Sequence, residues 1–228
     1  GLGLSKASFV PSGSLIREIL GVGIPIGQDA FIQISFLIIT MIANLRGVTD
    51  AAAVGIVEKS SVSSSLPIFA PFGCFCPQCQ NLGADNRKRA RAYLYDAIKT
   101  AVFFGLSVSL LIQVMAPRFV GLFTSDEAVI ASGGPYLKGY IFDTIFAESI
   151  FLFSGYFCAA KKSIYSFLHN LIAIVLVRIP FVYLASRAFS DSLFPMGLVT
   201  ASGSLLSVLI CCFLFRHLER ERTEVLQN

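Results

Sequence analysis

The stretch QNLGADNRKRARAYL, Gln80–Leu94, decides how the chain is read. Arg87, Lys88, Arg89 and Arg91 put four basic residues into five positions, with long apolar segments on both sides. Gly83 followed by Asp85-Asn86 reads as a helix end and a turn, after which the basic run opens the next helix. A short basic loop between two apolar spans marks the cytoplasmic side of a membrane protein. That assignment sets the orientation of every other segment.

The composition agrees. The 228 residues are 55% hydrophobic and only 14% charged, with a mean hydropathy of +0.73. A soluble domain carries about 25% charged residues, and the deficit fits lipid-facing surfaces, which tolerate almost no charge. Runs free of charge recur at Ala30–Leu45, Ser60–Ala84, Thr100–Pro117, Ser163–Val177 and Ser192–Phe215. A span needs about 20 mostly apolar residues. The expected fold is therefore all-α, a polytopic transmembrane bundle of six spans near residues 14–47, 50–79, 87–116, 127–160, 163–186 and 195–215. Segments placed in the cytoplasm hold eleven Lys and Arg residues against three outside. This bias predicts both ends of the segment inside, at the plasma (inner) membrane. The net charge of +4 sits in loops and tails, so it is no nucleic-acid signal.

Cys158, Cys211 and Cys212 fall in predicted helices, where Cys acts as a small hydrophobe. Cys74, Cys76 and Cys79 have the spacing of a zinc half-site, but neither His169 nor His217 is near in sequence, and no metal site is expected. Gly1–Pro11 lacks Met and starts mid-pattern, so the chain reads as a fragment.

In the first span Pro25 predicts a kink. Asp29, Gln33, Thr40 and Asn44 follow at spacings that place them within an arc of ~60°. Such a stripe either lines a polar cavity or glues helices together. In the second span Glu58-Lys59 is either a neutralised neighbour pair or an intramembrane charged site. Pro67, Pro71 and Pro77 would break a regular helix there, unless the Ser/Pro/Cys-rich run from 60 to 79 reflects a reading-frame defect. The third helix closes at Pro117. Asp96 and Lys99 form an i,i+3 surface pair, and Ser125 or Asp126 caps the fourth helix. On that helix Tyr136, Tyr140, Asp143 and Ser154 share a face, with Glu148 about 140° from Asp143. Carboxylates within a span are costly, roughly 2.5–3.5 kcal/mol each on insertion scales, so function is the default expectation and a neutral hydrogen-bonded acid the alternative. The fifth span carries His169, read as a hydrogen-bonding residue, and Arg178. The latter either pairs with an acid of another helix or contacts carbonyls freed by a kink at Pro180. Gly197, Ala201, Gly203 and Ser204 in the sixth allow close helix packing.

Gln80-Asn81-Leu82-Gly83-Ala84 with Arg89-Ala90-Arg91 resembles the QNxGA…RA signature of the multidrug and toxic compound extrusion (MATE) family. Gly23–Gln33 (GIPIGQDAFIQ), Leu122–Ile130 (LFTSDEAVI) and Arg178–Leu184 (RIPFVYL) are similar to its other landmarks, so the resemblance covers nearly the whole chain except residues 60–79. It implies the C-terminal six-helix lobe of a two-lobe antiporter. Such a protein exports drugs and organic cations in exchange for protons or sodium ions, needs no other cofactor, and has membrane lipid and an N-terminal lobe as partners. Many members have an acid about eight positions after the Pro of this lobe's first helix; here Gln33 stands at that place, and Asp29 lies one turn earlier. The ion-binding Asp that some members carry in the fourth helix falls at or beside Glu148, with Asp143 more than one turn earlier. Glu148, Asp143 and Asp29 are thus the ion-coupling candidates, and Gln33, Thr40, Asn44, Tyr136 and Tyr140 the substrate-cavity candidates. An enzyme is not expected, since no nucleophile–base pair or phosphate loop appears. Two other readings stand beside this one: a flippase for lipid-linked precursors or polysaccharides, and a non-transporting membrane fragment.

Overall fold

The computed structural model describes Gly13 and residues 28–69 and 80–225, and these contain helices and no strand. The helices are α1 (Gln28–Asn44), α2 (Val48–Phe69), α3 (Arg87–Val120), α4 (Glu127–Tyr140), α5 (Phe142–Ala159), α6 (Ser163–Ala173), α7 (Ile179–Ala188) and α8 (Phe194–Val225), with a π-helical turn, Ile174–Arg178, between α6 and α7. Among the described residues, four stretches are long and apolar enough to cross a membrane: Arg87–Val120, Phe142–Ala159, Ser163–Ala188 and Phe194–Arg220. The expected kink at Pro25, the prolines 71 and 77 and the Cys74–Cys79 motif lie outside the described residues.

The helix α3 shows the packing rule. Its buried face is Ala90, Leu94, Ala97, Ala101, Gly105, Ser109, Ile112, Ala116 and Val120. The large side chains Phe103, Leu110, Leu111 and Val114 point outward. Small residues inside let backbones approach, and large apolar ones outside suit lipid. A Cβ on Gly105 would stand 3.0 Å from the Ile145 Cα of α5. At its start, Asn86 accepts from the Arg89 N–H at 3.3 Å and caps the helix. The left-handed turn residue before it is Asp85 (φ 53°), not Gly83.

Sequence expectations are corrected at several points. Pro117 does not close α3, which runs on to Val120. Its ring lies under Gly134 of α4, where an added Cβ would meet it at 3.4 Å, and this packing holds the last turn. The expected single helix 127–160 is two helices, broken at Ile141. The freed Ile141 carbonyl accepts from the hydroxyls of Thr144 at 2.7 Å and Ser109 at 3.3 Å, so the break leaves no stranded group there. The fifth span is irregular in the turn just before Pro180, the π-helical Ile174–Arg178, where a proline removes a backbone donor and crowds the carbonyl four residues earlier. The sixth helix does not stop near 215 but continues through the charged tail. Glu219 anchors it by accepting from the Tyr156 hydroxyl at 2.8 Å and pairing with Arg91 at 2.9 Å. Pro67, expected to break α2, lies within it.

In the bundle α8 packs against α4, α5, α6 and α7, and α2 against α1 and α4. The α4–α8 crossing is tightest at Gly139 and Gly197. A Cβ on Gly139 would stand 2.5 Å from the Phe194 carbonyl oxygen. Arg46 ties the α1–α2 turn to the α7–α8 loop, pairing with Asp50 at 2.9 Å and donating to the Phe189 carbonyl at 2.7 Å.

Candidate functional site

The Gly139–Gly197 crossing brings α4 and α8 together, and a polar cluster lies beside it. Asp143, in the first turn of α5, accepts from Arg178 Nη2 at 2.9 Å. The same Nη2 donates to the Ser204 hydroxyl at 2.9 Å, and Ser204 in turn donates to Asp143 Oδ1. Arg178 closes the π-helical turn, the kind of local bulge often found at functional sites. Gly203 makes room for it: a Cβ there would stand 3.3 Å from the Arg178 Cβ. The guanidinium carbon lies 5.5 Å from the centre of the Phe36 ring of α1, a cation–π contact.

Glu58 of α2 is the second carboxyl, 6% exposed. Tyr136 of α4 donates its hydroxyl to Glu58 Oε1 at 3.2 Å. Thr40 Oγ1 lies 3.0 Å from the Phe36 carbonyl oxygen and 3.5 Å from Glu58 Oε2. Tyr136 stacks on Tyr140 with ring centres 5.7 Å apart. Phe36 and Thr40 of α1 join the two halves of the cluster: the Phe36 ring covers Arg178, and Thr40, bonded to the Phe36 carbonyl, lies beside Glu58. The cluster thus sets two carboxyl groups against one guanidinium. The pair Asp143–Arg178 is neutral as a unit. An ionised Glu58 would leave one negative charge over, and stranded buried charge costs several kcal/mol.

Of the residues singled out from the sequence, Thr40, Tyr136, Tyr140 and Asp143 come together here. Gln33 and Asn44 are exposed on α1, so the polar stripe divides. The Asp29 side chain is outside the description. Glu148 is 2% exposed, and neither of its oxygens finds a hydrogen-bond partner among the described residues. It shares α5 with Asp143 but points away from the cluster. Glu58 turns inward while Lys59 is exposed, so the two neighbours part company. Arg178 pairs with an acid of another helix, the first of its two sequence readings. Ser204 reads in the sequence only as a small packing residue, and Phe36 carries no signal of its own; an acid within the apolar run of α2 is the signal for Glu58. His169 forms a second buried polar layer, hydrogen-bonded to Ser154 at 3.1 Å and Ser207 at 2.7 Å.

A family model described as MatE matches residues 26–184. Over 115 residues the chain is 30% identical to the probable multidrug resistance protein NorM of Bacillus licheniformis, covering 50% of this chain and 25% of that protein. The fold matches a MATE crystal structure in the bent conformation with a TM-score of 0.84 at 16% identity, over 99% of this chain and 50% of the other. It also matches the outward-facing conformation of a multidrug resistance MATE family transporter of the MOP superfamily, with a TM-score of 0.80 at 20% identity, over 98% and 50%. The chain therefore spans about half the length of the solved transporters it resembles.

Proposed function

Because the chain belongs to the MatE family, we propose that it forms one lobe of a secondary antiporter that exports drugs and other organic cations in exchange for protons or sodium ions. The coupling ion is taken up at Glu58. The observation that carries this reading is the charge imbalance of the buried cluster: among the described residues, Glu58 and Asp143 are buried with a single buried cation, Arg178. When a proton or sodium ion occupies Glu58, the cluster is neutral and the lobe packs closed around it. When the ion leaves, the unpaired charge must be met by water, by a cationic substrate or by movement of the helices. Such a difference in affinity between two arrangements is what shifts an inward/outward equilibrium, and rocking of one bundle against the other is the general pattern for paired repeats. Gln33 and Asn44, exposed on α1, face the path shared with the other lobe. The protein lies in the plasma membrane with both ends of this segment in the cytoplasm.

Arg178 is engaged by Asp143 and Ser204, which leaves it poorly placed to receive a phosphate and weakens the flippase reading. The test is Glu58→Gln in the full-length transporter, reconstituted in vesicles. With protons as the coupling ion, efflux by the native protein rises as the outside is made more acid than the inside. The variant should keep substrate binding and lose this dependence. Gradient-driven efflux that persists at the native rate would remove Glu58 from the mechanism and pass the role to Glu148, the buried carboxyl with no hydrogen-bond partner among the described residues.

A further inference from the structure

We propose that Arg178 is a built-in counter-cation that withdraws Asp143 from ion coupling, so that the buried cluster takes up one coupling cation per cycle instead of two. This inference deepens the reading above and rests on it.

Arg178 is held by more than its acid. The π-helical turn presents it, Gly203 clears the space against α8, the Phe36 ring covers the guanidinium, and the Ser204 hydroxyl bridges the pair by accepting from Arg178 and donating to Asp143. Asp143 Oδ1 is therefore engaged twice within the lobe, by the guanidinium and by the hydroxyl. A guanidinium is a fixed positive charge, and it offsets the Asp143 carboxylate at 2.9 Å. The ionisable groups of the cluster besides Arg178 are Asp143 from α5, Glu58 from α2, and, from α4, Tyr136, which donates to Glu58, and Tyr140, which stacks on Tyr136; α1 contributes Phe36 and Thr40, and α8 contributes Ser204. One fixed positive charge thus faces two carboxylates, and a single mobile cation completes neutrality. Without Arg178 the same site would need two, the second binding at the Asp143 carboxylate as a proton on oxygen or as a sodium ion.

The test counts bound cations at equilibrium on the purified full-length protein and needs no substrate. Protons are counted by potentiometric difference titration, and sodium by binding of radioactive sodium, because the number of protons bound is a direct thermodynamic observable. Glu58→Gln should lower the sum of bound protons and sodium by one. Failure of that arm overturns the proposed coupling at Glu58, independently of Arg178. Arg178→Gln should raise the sum by one, and Arg178→Lys should leave it at the native count. An unchanged sum in Arg178→Gln overturns the proposal. Should Arg178→Gln not fold, the neutral double variant Asp143→Asn/Arg178→Gln decides: a sum equal to the native one supports the proposal, and a sum lower by one shows Asp143 to be a cation site and overturns it.

Discussion

Two regions of the bundle are built from the same long helices in opposite ways. At one end α5 and α8 meet through aromatic rings: Phe215 takes Tyr156 edge-on at 5.1 Å and Phe153 at 5.9 Å, over a core that includes Leu94, Leu152, Phe157, Cys211 and Leu218. At the other end the contacts are glycine against glycine and hydroxyl against carboxyl, around Asp143, Arg178, Glu58 and Tyr136. Apolar packing is non-directional and holds equally well in any charge state. A buried hydrogen-bonded network is satisfied or unsatisfied as a unit, and its energy changes when a proton or ion leaves. The first region therefore supplies a permanent clamp, and the second supplies the part whose stability depends on the ion. Mutations should separate these two properties along a single helix.

The largest effect should come from Gly197→Leu. Its side chain would enter the α4 backbone near Tyr136 and Tyr140. Folded, monodisperse protein in detergent should be lost, since overpacking beyond what side chains can relax exceeds the usual ~1–3 kcal/mol. Recovery of protein with native thermal stability would mean that the close crossing is not needed. Next comes Phe215→Ala, expected to cost about 3–5 kcal/mol in detergent unfolding, as for other large-to-small core changes. The number of coupling cations should not change; a changed number would erase the division between the two regions. Smaller again is Tyr156→Phe, which removes the hydroxyl that Glu219 accepts. It should cost about 1 kcal/mol, with no effect on ion dependence, readable as a small fall in the unfolding midpoint.

The all-helical membrane character and the basic run that opens α3 at Arg87–Arg91 could be read from the sequence because both follow from one-dimensional patterns, apolar runs and clustered charge. The Asp126 cap and the Asp96–Lys99 pair are local for the same reason, and both are present in the fold. What escaped was set by contacts across the bundle. The break at Ile141 has no proline or glycine at the break itself; it lies beside the α4–α8 crossing and is stabilised by the Ser109 and Thr144 hydroxyls. Glu58 meets Tyr136 across 78 residues of chain, and Asp143 meets Arg178 across 35. The period of a helix says which residues share a face; it does not say which face of which neighbour they meet. In the sequence Asp143 and Glu148 looked like equals on one helix. In the fold one is held by a guanidinium and a hydroxyl, and the other is buried with no hydrogen-bond partner among the described residues.

The π-helical turn at Ile174–Arg178 gives the chain one residue of slack beside the site. Each residue of an α-helix turns the next by ~100°, and a π turn takes up one residue more than an α turn for about the same rotation. Deleting one residue between Ile174 and Val177 would let the segment relax to a regular helix while His169 and Arg178 keep their partners Ser207 and Asp143. Deleting two leaves no slack and would swing His169 by ~100° relative to Arg178. A one-residue gap in this turn should therefore be far milder than a two-residue gap, and a relative that lacks one residue here should keep both partnerships.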